Sequence, residues 1–172
     1  MKSCMLRIKK GFTLVELLVV IAIVAILSGI LMIAINPQSL IQKSRDAKRM
    51  EDVSTLVKAM NLALADGEIT LSASGTCATC TSATGTQATD GVNGWVKFGT
   101  PALKTGLAKF ISALPQDPLN TAPNVYTFAS DLNGFEFNAV LEHADNDSKE
   151  STDGGNAPAV YEVGSDAGLD LL

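Results

Sequence analysis

The sequence predicts an α+β protein: a long N-terminal α-helix, half transmembrane and half amphipathic, packed on a small head. The head is expected to hold a short helix and an antiparallel β-sheet of about three strands. Three observations lead there. Residues 17–35 are 19 consecutive positions without a charge, broken only by Ser28 and Gly29. From Ala47 to Leu64, apolar residues recur every three or four positions. Beyond two closely spaced prolines, Pro115 and Pro118, come three short β-prone runs with a turn signal between the first two.

The uncharged run covers roughly 28 Å at about 1.5 Å per residue, which is close to the hydrocarbon thickness of a bilayer. Lys2, Arg7, Lys9 and Lys10 precede it with no acid among them. A secretory signal peptide shares that charge pattern, but its apolar core is about 7–15 residues long and a small-residue cleavage site follows. Here the run is longer and leads into Asn36-Pro37-Gln38-Ser39-Leu40. From hydropathy alone the segment is an uncleaved signal anchor. Lys43, Arg45, Lys48 and Arg49 flank its far end, so the positive-inside rule does not set its direction. Glu16, at the mouth of the run, is costly in a membrane unless it reaches the headgroups, finds a partner or serves a function.

The phrase Lys9-Lys10-Gly11-Phe12-Thr13-Leu14-Val15-Glu16, followed by the apolar helix, resembles the N-terminal segment of type IV prepilins and type II secretion pseudopilins. The resemblance implies that a membrane prepilin peptidase cuts between Gly11 and Phe12 on the cytoplasmic side and N-methylates Phe12. It also implies a head outside the cytoplasm and an assembly role for Glu16, paired with the Phe12 amine of an adjacent subunit. Such pairing removes a penalty that each charge would carry alone in an apolar core. Many family members have a helix-breaking proline near the middle of this segment; here the candidate weak points are Gly29 and Pro37.

Pro37 should end or kink the first helical stretch. After it, Ala47, Met50, Val53, Val57, Met60 and Leu64 form a stripe expected to pack on the head. Asp46, Arg49, Asp52 and Lys58 are expected largely on other faces. Asp66-Gly67 offers a stop, with Gly67 free to take a left-handed cap.

Residues 70–91 are Thr, Ser, Ala or Gly at 17 of 22 positions, too little apolar bulk for a rigid core, so the segment reads as a surface loop. It contains Cys77 and Cys80. A small local disulfide is the leading reading; free or partly oxidised thiols and a metal or redox role are the others. A lone C-x-x-C is a weak signal, since a redox motif needs a strand before it and a helix after it.

In the head, Thr100-Pro101 reads as a helix start, with Leu103, Leu107, Phe110, Ile111 and Leu114 as the buried stripe. The strand candidates are 125–129, 135–141 and 159–163, and Asp131-Leu132-Asn133-Gly134 signals a hairpin. The phrase Leu114-Pro115-Gln116-Asp117-Pro118-Leu119-Asn120 resembles the region around the LPxDP motif of major pseudopilins, without the tryptophan–glycine that often follows. Residues 142–156 form an acidic loop. Asp145, Asp147 and Asp153 are its calcium candidates, by chemistry of oxygen ligands and by analogy with the heads of major pseudopilins. A solvated acidic loop is the plainer reading.

With 172 residues, there is room for one membrane segment and one modest domain. From Asp66 onward the chain holds 14 acids and 4 bases, a balance of −10, so no nucleic-acid partner is expected. The organisation read from the sequence is a leader at 1–11, a membrane or filament-core helix at 12–36, and an amphipathic helix at 37–66. A loop at 67–94 and a head at 95–172 complete it. No nucleophile–base pair or phosphate-cradling glycine motif occurs, so no enzyme and no required cofactor are expected, calcium being optional.

The function implied is a structural subunit of a type IV pilus-like filament. The alternatives are a pseudopilin acting in type II secretion and an uncleaved single-pass protein displaying a calcium- or ligand-binding head. The implied partners are copies of itself and minor pilins in a helical filament, prepilin peptidase, and an inner-membrane assembly platform with its ATPase. The implied location is the inner membrane first, then an extracellular filament or a periplasmic pseudopilus.

Overall fold

The computed structural model describes residues 11–74, 77 and 80–172, with backbone only at residues 33 and 34. Cys4 and the basic leader residues 1–10 therefore lie outside the described residues. Two units are distinguished along the chain, Met1–Leu40 and Ile41–Leu172.

Helix α1 spans Leu14–Ile35, and each of its described side chains is exposed. By length and composition Leu14–Met32 suffices to cross a membrane. Asn36 ends α1 in the left-handed conformation, with φ 42°, which Asn tolerates better than most residues. Pro37 then opens α2, Pro37–Ala65, at the first helical position, where its missing N–H leaves no bond unmade. The break expected at Pro37 is thus made by Asn36, and the proline starts the next helix.

Helix α2 closes as anticipated at Gly67, whose φ is +62°. The Glu68 N–H bonds to the Ala63 carbonyl and the Gly67 N–H to that of Leu64, which is the Schellman pattern. The stripe read from the sequence packs on the head in part, with Val53 and Met60 in the core and Val57 and Leu64 against it, but the buried face is wider. Asp46, Arg49, Asp52, Val53, Leu56, Ala59, Met60 and Ala63 are buried, whereas Ala47 is exposed and Met50, Val57 and Leu64 are only half-buried. Of the charged residues expected on other faces, Lys58 is exposed, whereas Asp46, Arg49 and Asp52 line the seam because the head supplies them with partners.

The apolar half of that face packs with Trp95, Phe98, Leu107, Leu114, Tyr126, Phe128, Phe135 and Phe137. Strands β1 (Tyr126–Ser130), β2 (Phe135–Ala139) and β3 (Tyr161–Gly164) form an antiparallel sheet in the order β1-β2-β3. The hairpin falls where expected, with Asp131 Oδ1 accepting the N–H groups of Asn133 and Gly134. Phe135, Phe137 and Ala139 face the core, so Glu136 and Asn138 lie on the opposite face by strand alternation.

One expectation needs correction. Residues 101–114 do not form an amphipathic helix; only a 3-10 turn, Gly106–Lys109, is present. Leu103 takes φ +66° and Gly106 φ +65°, and left-handed residues cannot sit inside a right-handed helix. Gly106 is needed there: a Cβ would lie 2.6 Å from the Thr89 carbonyl oxygen. The short helix of the head is instead α3, Asp147–Glu150. The described residues of the small-residue segment at 70–91 form no named helix or strand, as a loop would, and some are fixed to the head. Ser82 is buried and exchanges bonds with Tyr126 and Asn120, while the Cys80 carbonyl accepts the Phe128 N–H.

Candidate functional site

At the N-terminal segment, Gly11, Phe12 and Thr13 precede the helix in irregular, exposed backbone. No neighbouring atom lies within 4 Å of where a Cβ on Gly11 would be. That absence of neighbours holds among the described residues. Phe12 itself is 78% exposed.

Thr13 and Glu16 set the start of α1. The Glu16 N–H donates to Thr13 Oγ1 at 3.2 Å, and the Thr13 N–H donates to Glu16 Oε2 at 2.9 Å. Thr13 Oγ1 also donates to the same Oε2, at 2.8 Å. This is a capping box, which satisfies two donors that the first helical turn would otherwise leave unpaired. A carboxylate here also complements the positive end of the helix dipole. The signal was in the sequence as Thr-x-x-Glu before an apolar run, and it gives Glu16 an intramolecular task beside any assembly role.

The remaining candidates lie in the head. A disulfide joins Cys77 and Cys80. Asp145, Asp147 and Asp153 do not converge. Asp145 Oδ2 is 2.6 Å from Lys43 Nζ, and Lys43 holds its carboxyl below the ordinary range. Asp147 sits in the first turn of α3. Asp153 uses Oδ1 for the Gly155 N–H and Oδ2 for the Glu162 N–H. Among the described residues no group of three His, Cys, Asp or Glu is arranged to hold a metal ion.

A buried charge cluster that the sequence reading did not anticipate lies on α2. Arg49 Nε and Nη2 grip Asp117 at 2.5 and 3.0 Å, and Nη1 meets Asp46 at 2.9 Å and Glu142 at 2.6 Å. Arg45 Nε adds a bond to Glu142 Oε1 at 2.7 Å. Asp46 accepts the N–H groups of Glu142 and His143 and the Asn146 amide. Nearby, the Tyr126 hydroxyl donates to Asp52 at 3.0 Å; burial, reinforced by the Asp52 charge, pushes its pKa up. The cluster binds three chain segments to one helix face. A spacing of three residues through Asp46, Arg49 and Asp52 was its visible signal.

Residues 6–32 match the family described as the prokaryotic N-terminal methylation motif. No curated protein and no solved structure matches the chain. The family match covers the N-terminal segment and leaves the head outside it. Residues 6–32 are thus a type IV pilin-like or pseudopilin-like prepilin segment, of the kind that serves as substrate for prepilin peptidase.

Proposed function

We propose that the protein is a structural subunit of a type IV pilus-like filament. In this reading the chain is cut between Gly11 and Phe12, methylated on the new Phe12 amine, and polymerised through α1. The observation that carries it is the methylation motif at residues 6–32, joined to an apolar helix with no buried side chain among those described. A helix of that kind has its apolar surface satisfied either by lipid or by other helices. Before assembly it anchors the subunit in the inner membrane with the head outside the cytoplasm; the Cys77–Cys80 disulfide suits an oxidising compartment.

After cleavage the Phe12 amine would lie four residues, about one helical turn, from Glu16. Pairing of Glu16 with that amine on a neighbouring subunit would neutralise both charges and set the height at which a subunit enters. The subunit's partners would then be its own copies, minor pilins, prepilin peptidase and an assembly platform with its ATPase. The role is structural, with no catalysis and no required cofactor.

A second reading, a pseudopilin that drives secretion, draws support from the phrase at 114–120. Its Asp117 is the residue that Arg49 grips, so the resemblance falls on a position with a defined structural task. Mass spectrometry of the membrane-extracted protein tests both readings together. Methylated Phe12 at the mature N-terminus is expected; an intact leader would eliminate them. Electron microscopy of the cell surface then separates a surface filament from a periplasmic one.

A further inference from the structure

The outer face of the sheet carries two glutamates that are not solvent-facing. Glu136 on β2 and Glu162 on β3 are 0% and 1% exposed. The register sets Asn138 opposite Glu162 and Gly164 opposite Glu136, so the three polar side chains share one face of two neighbouring strands. Two segments cover them. Glu136 Oε2 accepts the Leu171 N–H at 2.8 Å, and Glu162 Oε2 accepts the Ala157 N–H at 2.8 Å. Asn138 Nδ2 donates to Glu162 Oε1 at 3.4 Å. Gly155 allows this closeness, since a Cβ there would sit 2.0 Å from Glu162 Oε2.

Positive charge is missing from this arrangement. Among the described residues, each ion pair lies elsewhere. Glu136 Oε1 and Asn138 Oδ1 have no hydrogen-bond partner. The groups around the pair make matters more acidic. Asp153 accepts the Glu162 N–H, and Asp166 and Asp170 belong to the segment that follows β3. Strand β1 offers only uncharged Ala129 and Thr127 opposite Glu136 and Asn138. Lys149 of α3 and Tyr161 line a cavity of about 410 Å³ beside Glu162, but Lys149 Nζ is directed at Met50 Sδ, 3.5 Å away. Two buried carboxylates without a cation relieve their repulsion by keeping a proton.

We propose that buried Glu136, set beside Glu162 with no cation, keeps a proton and thereby clasps residues 169–172 onto the sheet, a clasp that opens when the proton is lost. With the proton on Oε1, the Glu136 carboxyl is neutral and its Oε2 stays with the Leu171 N–H. Without it, two adjacent buried charges repel, and lifting the covering segments into solvent is the local way to hydrate them. Burial is the foremost cause holding the Glu136 carboxyl above its ordinary range, with Leu171 opposing and Glu162 adding to the rise. A raised folded value means that the clasp is firm at low pH and is lost as pH rises through that value.

Hydrogen exchange of the full chain in detergent, corrected for intrinsic rates, tests this between about pH 5 and about pH 9. Protection of the Leu171 amide and its neighbours should fall by up to about tenfold per pH unit between the ordinary glutamate value and the raised Glu136 value and level off above it, while the β1–β2 amides stay constant. Glu136→Gln should leave tail protection high and flat with pH, and Glu162→Gln should do the same should the first variant fold poorly. Flat protection in the unmodified chain, or an unchanged slope in the variants, would overturn the proposal. So would recovery of protection at high pH on adding calcium, because a cation and not a proton would then neutralise the pair.

Discussion

Arg49 and Asp117 face each other through two hydrogen bonds inside the head, Nε to Oδ2 at 2.5 Å and Nη2 to Oδ1 at 3.0 Å, with both side chains closed to solvent. The planar fork of arginine matches a carboxylate in this way and lysine does not. Removing one partner of such a pair strands the other in a low-dielectric interior. Arg49→Ala should therefore lower stability by about 3–5 kcal/mol, read from denaturant unfolding of the full chain in detergent. Arg49→Lys should recover only part of the loss. A change below about 1 kcal/mol, the scale of an exposed pair, would contradict the role given to Arg49.

Acid should loosen the head through carboxyls that the fold holds ionised. The Arg45 hydrogen bond, foremost, keeps Glu142 below its ordinary range. The Asn93 amide, foremost, and the Val92 N–H bring Asp90 down to about 2. Both folded values are depressed, so each contribution is present above the ordinary value and lost as pH falls through the folded one. Melting followed against pH should show a decline that continues below the ordinary Asp value of 3.8. Asp90→Asn should remove its last component, near pH 2.

The cap that Glu16 makes with Thr13 is separable from the assembly role proposed for it. Thr13→Ala breaks the capping box but keeps the carboxylate, and should cost about 1 kcal/mol of helix stability while filaments still form. Glu16→Gln can keep the cap, since Gln serves at that position, but cannot pair with an amine. It should be processed at Gly11 normally and fail to enter filaments. Mass spectrometry and filament yield measure the two outcomes independently, and normal yield from Glu16→Gln would refute the pairing.

Reduction of Cys77–Cys80 should have a limited effect, because a separation of three residues closes a very small loop. The loop-entropy relation gives about 2 kcal/mol. A thermal melt with and without reductant should show a modest downward shift, with the core aromatic signals of Trp95 retained.

The N-terminal half was legible because its signals are local. Length and lack of charge identify α1, and Gly67 identifies the end of α2 through a conformation few other residues adopt. The hairpin at Asp131–Gly134 was legible for the same reason. The burial of Asp46, Arg49 and Asp52 was not, because polarity assigns a residue to solvent unless its partners are known. Here those partners are 68 to 100 residues away in sequence, at Asp117 and Asn146. The helix expected at 101–114 failed on two left-handed positions, Leu103 and Gly106. Gly106 could have warned of it; Leu103, as a leucine, gave no hint.

The capping box divides Glu16 between its two oxygens. Among the described residues both Thr13 bonds fall on Oε2, and Oε1 takes part in neither. In the filament proposed above, a subunit would arrive with its first helical turn already locked and would still offer an acceptor to a neighbour. Docking at that height would demand no unwinding of the incoming helix, and a subunit could be withdrawn from the filament with its helix start intact.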